Sequence, residues 1–378
     1  MANRKIDYSP VLFAIRSSPF ANPMFVLAHL SDLHLGPLPV PRPAELFSKR
    51  ILGFLNWHLR RHACHRTETY EAMVADMMAA KPDHIAVTGD LINIALAQEF
   101  GAARAWLDRL GTPDRVTFVP GNHDVYVRAT AQHAGRSWGA CMRGDDAEMQ
   151  PTACSFPFVR RRGPVVLIGL SSALPTSPFL ASGTLGAEQI AHLAALLPGL
   201  SDAFRVVLIH HPPLGLRPRH KRLTDAKPLL DVLAEHGAEL VLHGHDHRHA
   251  LNWLQGRQGR IPVVGVPSGS APRAGREDDP AAYNLYRIEG GAGSWHCEMV
   301  SRGLRDGSTD IVELDRRNLL GQPTNSIPPP KGEGAERKRG GWGRMHQCAL
   351  IPTRPPPAKG RRRPPSPPGR DGASGTSV

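Results

Sequence analysis

The sequence predicts an α/β fold, on three observations. Short β-branched runs alternate with helix-period patterns, the gaps between runs leave room for crossover helices, and several runs end in clusters of Asp, Asn, His and Gly. The 378 residues are enough for one large domain or two ordinary ones, and a 41% hydrophobic composition can fill a buried core. No apolar run approaches the roughly 18 to 20 residues of a membrane span.

The first strand is expected at 25–31, directly after Met24. Residues 1–23 carry an apolar stretch, Val11 to Ile15, without a cleavage pattern behind it. They read as an N-terminal extension, not a signal peptide, with Met24 as an alternative start. Further strands are expected at 84–88, 116–119, 165–170, 206–210, 239–242 and 262–266, with a terminal pair at 283–289 and 295–300. A helix is expected over 67–80, where Tyr70, Met73, Val74, Met77 and Met78 fall on one apolar stripe and so belong to the core. Similar helices are expected at 97–110, 187–197 and 225–236, the last closed by Gly237.

These elements define one domain over 24–305, followed by a linker over 306–327. The net charge of +12 is unevenly placed: residues 328–378 hold eleven Lys/Arg against three Asp/Glu, or +8, which leaves +4 for the first 327 residues. That Pro/Arg-rich tail cannot bury enough apolar surface to fold and is expected to be disordered. A mildly basic folded part gives no footing for a nucleic-acid partner. The five cysteines, at 64, 141, 154, 297 and 348, are odd in number and lack C-x-x-C spacing. This argues against a disulfide framework and a cysteine-rich zinc site, and for a reducing, cytoplasmic compartment.

Five strand ends deliver metal-type side chains: Asp32 and His34; Asp90; Asn122, His123 and Asp124; His210 and His211; and His243, His245, Asp246 and His247. Ligands in α/β sheets collect beyond the carboxyl ends of strands. In extended backbone, residues i and i+2 share a face, so Asp32 with His34 and His245 with His247 could each aim a pair at one point. Imidazoles, carboxylates and an amide without thiolate suit divalent Mn, Fe, Zn, Co or Ni, and the number of groups suits two ions. A metal pair of this kind performs phosphoester hydrolysis.

The set Asp32-x-His34, Gly89-Asp90, Gly121-Asn122-His123-Asp124, His210 and Gly244-His245-x-His247 resembles the calcineurin-like metallophosphoesterases over about residues 24–300. It is most similar to the bacterial class III cyclic-nucleotide phosphodiesterases. The resemblance implies a four-layer α/β/β/α sandwich of two mixed sheets. It implies that Asp32, His34, Asp90 and His247 hold one metal, and that Asp90, Asn122, His210 and His245 hold the other, with Asp90 as the bridge and Fe or Mn as the favoured ions. It further implies that His123 contacts the phosphate and protonates the leaving oxygen, with Asp124 orienting or charging its imidazole. His211, His243 and His249 are expected not to be ligands, and His58, His62, Cys64 and His65 are expected on the surface.

The implied substrate is a small phosphoester. A nucleotide-lipid pyrophosphohydrolase, a DNA nuclease and a non-catalytic scaffold are the alternatives, and a homodimer is left open. The stretch 36–66 is longer than a plain strand-to-helix connection. Its Phe47, Ile51, Phe54 and Leu55 lie at i, i+4, i+7 and i+8 among cations, an amphipathic helix that either packs on the domain or forms a lid with a peripheral membrane contact through 40–62.

Overall fold

The computed structural model describes residues 24–321, apart from 131, 146–154, 216, 277 and 307. The N-terminal extension 1–23, residues 322–327 of the expected linker and the tail 328–378 lie outside the described residues.

Among the described residues, twelve strands form two mixed sheets. In chain order they are β1 Phe25–Leu30, β2 His84–Val87, β3 Val116–Phe118, β4 Phe158–Arg162, β5 Val165–Gly169, β6 Phe204–Leu208, β7 Leu240–His243, β8 Ala250–Gly256, β9 Gly259–Gly265, β10 Ala282–Glu289, β11 His296–Leu304 and β12 Ile311–Leu320. The first sheet runs β12-β11-β10-β1-β2-β3 and the second β4-β5-β6-β7-β9-β8. Strands β1, β2 and β3 are mutually parallel, as are β5, β6, β7 and β9. Their carboxyl ends therefore open onto the segments that carry the candidate ligands.

Side-chain alternation along the second sheet explains the layering. Val165, Leu167, Val206, Leu208, Leu240 and Leu242 join the core shared with the first sheet. Their neighbours Val166, Ile168, Val207, Ile209 and Val241 turn to the opposite face, against Ile190, Leu193, Leu229 and Leu233. A period of two thus lets one strand serve two apolar layers, which is why these runs are hydrophobic throughout.

The helices are α1 Arg50–Asn56, α2 His62–Cys64, α3 Thr67–Ala79, α4 Ala97–Leu110, α5 His133–Trp138, α6 Ala187–Leu196 and α7 Ala226–His236. Tyr70, Met73 and Met77 of α3 are buried as the stripe predicts, with Val74 and Met78 packed beside them. Gly237, at φ 78°, ends α7.

Two expectations change. Residues 306–327 are not simply a linker, because Ile311–Leu320 pair antiparallel with β11 and extend the first sheet. The segment 36–66 is not one regular helix: α1 is followed by a π-helical turn, Trp57–Arg61, and then α2. Its register is also inverted relative to a surface helix. Arg50 and Trp57 are buried, whereas Phe47, Ile51 and Leu55 face solvent, with Phe47 89% exposed.

His84 is buried in the first sheet, its Nε2 2.7 Å from Thr117 Oγ1. Burial, reinforced by Arg162 and Arg160, lowers its pKa to about 3. An unfolded chain titrates near 6.5, so as pH falls below that value the unfolded state gains a proton the folded state refuses, and stability declines until about pH 3. His84 accounts for about 2 kcal/mol of the loss between about pH 7 and pH 5. Urea unfolding of His84→Gln should show an acid-side drop smaller by that amount; an identical drop would refute the assignment.

Candidate metal centre and active site

The candidate ligands leave their strands through unusual backbone. Asp32, His34, Asp90, His245 and His247 all have positive φ, between 46° and 71°, in the left-handed region that non-glycine residues avoid. The paired candidates therefore converge through left-handed turns, and the extended i, i+2 geometry expected for them is replaced. Two glycines allow the close approach. Gly89 turns at φ 98°, and a Cβ on Gly121 would run into Asp90 Oδ1.

Each aspartate divides its two oxygens between backbone and site. Asp32 Oδ2 accepts from His245 N at 2.9 Å, and Asp90 Oδ1 accepts from His123 N at 2.7 Å. Asp32 Oδ1 is left without a donor, with His247 Nε2 3.2 Å away. Asp90 Oδ2 lies 3.4 Å from His210 Nε2 and 4.0 Å from His34 Nε2, between the two groups of imidazoles.

The other ring nitrogens determine what these atoms are. His34 Nδ1 faces Ile92 O at 3.3 Å, His210 Nδ1 faces Thr88 O at 2.7 Å, and His245 Nε2 faces Lys221 O at 2.9 Å. His247 Nδ1 faces Asp278 Oδ1 at 2.5 Å. A carbonyl or carboxylate accepts only, so these nitrogens donate and the opposite nitrogen of each neutral ring presents a lone pair.

Two nests of acceptors follow. One holds His34 Nε2 and His247 Nε2, 3.3 Å apart, with Asp32 Oδ1. The other holds His210 Nε2, His245 Nδ1 and Asn122 Oδ1, with the amide oxygen 3.2 Å and 2.9 Å from the two nitrogens. Lone pairs brought this close in a buried site repel unless a cation or proton lies among them. Burial opposes charge on His247 and His210, yet Asp32 and Asp278 push the first up to about 9, and Asp90 pushes the second up to about 10. A divalent ion meets the same demand and would release those protons. The donor set fits metal.

His123 stands beside both nests. Its Nδ1 donates to Asn93 O at 2.5 Å, which aims Nε2 at the site, and its ring stacks on Tyr126 with centroids 5.5 Å apart. Tyr126 also lines a cavity of about 320 Å³, together with Lys49, Arg128 and Thr176. Asp124 does not reach the His123 ring. Its carboxyl group accepts from the backbone N–H of Asp90, Leu91, Ile92 and Gly121 at 2.7 to 3.3 Å, fastening the turn that presents Asp90. The orienting group for His123 is therefore the Asn93 carbonyl.

Three residues were not legible as site residues. His65, expected on the surface, is 7% exposed; its ring lies 4.6 Å from that of His34, and its Nδ1 meets Ser270 Oγ at 2.8 Å. Asp278, from a loop before β10, holds His247. Arg61 of the π-helical turn reaches His34 and His123. In the sequence Arg61 shows only as one of the cations around the apolar stripe of the insertion. His58, His62 and Cys64 are exposed as expected. Both nitrogens of His211 are occupied, by Ser172 Oγ and Ala181 O, which takes it out of the ligand set.

The sequence pattern of the calcineurin-like phosphoesterases matches residues 25–249. The chain belongs to that family and is a phosphoesterase, a hydrolase of phosphoric esters. It is similar to a probable cyclic nucleotide phosphodiesterase of Synechococcus sp., 27% identical over 246 residues that cover 62% of this chain and 83% of the relative. It is likewise similar to the glycerophosphodiester phosphodiesterase GpdQ of Enterobacter lignolyticus, 26% identical over 274 residues, 69% of this chain and 83% of that one. A crystal structure of a dimetal phosphatase from Danio rerio aligns at a TM-score of 0.46 and 14% identity, over 78% of this chain and 99% of its own.

Because Asp278 fixes the His247 tautomer, Asp278→Ala should weaken divalent metal binding about 10- to 100-fold. Chelator competition against Mn would measure it, and undiminished affinity would show that the contact does not serve the metal.

Proposed function

We propose that the protein is a binuclear metal-dependent phosphodiesterase acting on small diesters, with phosphomonoesters as a secondary class. The observation that carries this reading is the pair of acceptor nests flanking one shared atom, Asp90 Oδ2. Asp32, His34, Asp90 and His247 would hold one ion, and Asp90, Asn122, His210 and His245 the second, with Fe or Mn favoured. When bound, the metal pair supplies Lewis acidity toward the phosphoryl oxygens and a nucleophile at neutral pH. The names of both relatives, a cyclic nucleotide and a glycerophosphodiester phosphodiesterase, support a diester substrate.

The chain's own contribution to bond cleavage centres on His123. Nε2 carries the proton to the leaving oxygen, and Nδ1 on Asn93 O keeps the ring from turning away. Burial and the neighbouring Arg61 lower this imidazole to about 4. The negative charge of a bound phosphoryl group opposes both and raises the imidazole toward the range where it can hold a proton. The leaving group would lie in the cavity of Lys49, Tyr126 and Arg128. Cys141 and Cys297, buried free thiols, suit a reducing cytoplasmic compartment.

A second reading concerns where the enzyme works. Val40, Phe47 and Leu59 are 88%, 89% and 76% exposed, and Ile51 and Leu55 join them on the outer side of the insertion. Residues 36–66 also hold six Lys/Arg against the single acid Glu45, a net of +5. An exposed apolar stripe within a cationic segment fits an anionic lipid surface, to which the insertion would bind peripherally. No helix among the described residues is long and apolar enough to span a membrane.

Metal-stripped protein refilled with Mn, Fe, Zn, Co or Ni and assayed on a monoester and diester panel would test the function, and inactivity with every metal and ester would sink it. His123→Ala should keep its metal and lose about 10² to 10⁴ in kcat on a diester with a poor leaving group. Asp90→Ala should lose metal together with rate; full metal content there would remove Asp90 from the ligand set. For the second reading, the wild-type chain should co-sediment with phosphatidylglycerol vesicles better than Phe47→Ser/Leu55→Ser/Leu59→Ser does. Equal partitioning, or a soluble dimer disrupted by the same changes, would overturn it.

A further inference from the structure

We infer that Arg61 is a substrate-binding residue, its guanidinium holding a non-bridging oxygen of the scissile phosphoryl group. The insertion would then be a working wall of the active site. This rests on the phosphoesterase reading above and adds a group outside the motif that carries the family resemblance.

The insertion turns an unusual face inward. Arg50, Phe54, Trp57 and Arg61 lie at i, i+4, i+7 and i+11, and two of the four are cations. Arg50 acts as an anchor. Its Nε donates to Ile94 O at 2.9 Å and its Nη2 to Ala95 O, tying the insertion to the loop behind Asp90. Trp57 is buried against Gly36, where its ring lies 3.3 Å from the position a Cβ would take. With both anchors set, the π-helical turn Trp57–Arg61 swings the last side chain over the metal centre. Such turns interrupt a regular helix and recur at functional sites.

Arg61 itself feels Asp90, Asp278 and Asp32 only from beyond ion-pair distance. Nη1 donates to His123 Nε2 at 3.0 Å, and Nη2 lies 2.7 Å from His34 Nε2, an acceptor that it gives up once that lone pair holds metal. Both acceptors are lone pairs on neutral imidazoles, and among the described residues no carboxylate forms an ion pair with Arg61. A half-buried guanidinium whose direct contacts are neutral rings retains donors to spare. Placed between a metal ligand and the leaving-group imidazole, it faces the space a phosphoryl group must occupy. The planar fork of arginine matches phosphoryl oxygens in a way a lysine ammonium does not.

The test uses full-length, manganese-loaded protein, with inorganic phosphate as the binding probe and bis(p-nitrophenyl) phosphate as the substrate. Arg61→Ala should bind phosphate about 10- to 100-fold more weakly by calorimetry and lose a similar factor in kcat/KM, the loss of one charge-assisted contact. Its metal content and melting temperature should match those of the wild type. Arg61→Lys, which keeps the charge without the fork, should recover part of the phosphate affinity. Unchanged phosphate affinity in Arg61→Ala would overturn the inference, and so would loss of metal from that variant, since Arg61 would then support His34 and not the substrate. A wild-type protein that neither binds phosphate nor cleaves any ester would fail one step earlier, at the phosphoesterase reading itself.

Discussion

The carboxylate of Asp90 is the point on which the rest of the structure depends. One oxygen is committed to the His123 backbone, the other lies between His34 and His210, and the residue's own N–H is held by Asp124. Burial alone would raise this carboxyl group, but the charge of His210 and the hydrogen bonds from His210 and the His123 backbone N–H hold it below the usual carboxylate range. It stays ionised where water cannot solvate it. An ionised group in that position demands positive charge around it, and the surrounding imidazoles are placed to share that charge with metal ions.

The sandwich supplies the rigidity this arrangement needs. Three parallel strands of one sheet and four of the other end near the same rim, and their buried neighbours fix where each turn begins. The backbone carbonyls of Thr88, Ile92, Asn93 and Lys221 each receive one imidazole N–H, so ring orientation is set by main chain instead of by movable side chains. Among the candidate ligand imidazoles described, His247 alone relies on a side chain, Asp278, for the same service.

What could be read from the sequence follows from how strongly burial constrains each segment. The interior strands read clearly, because a strand covered on both faces must be apolar throughout, as in Val165 to Gly169. The three strands not foreseen, β4, β8 and β12, are all sheet edges, where charges such as Arg161 and Arg162 or Asp315 to Arg317 discourage pairing with other chains. The same logic covers the site. The motif residues sit at strand ends with recognisable spacing and could be placed together, whereas His65, Arg61 and Asp278 arrive from an insertion and a loop whose path no local pattern specifies. The helical period of residues 47–55 was legible too, but not its direction, because apolar side chains normally turn inward and here the arginine side does.

The left-handed turns at Asp32, His34, Asp90, His245 and His247 have a consequence for how such a centre can be lost. A conformation that excludes β-branched side chains filters the replacements a lineage can accept without disturbing the sheets behind. Asparagine and glycine pass that filter most easily. A descendant that had abandoned chemistry while retaining the architecture would therefore carry those two residues as the scar at these five positions, with the mainchain path around them unaltered.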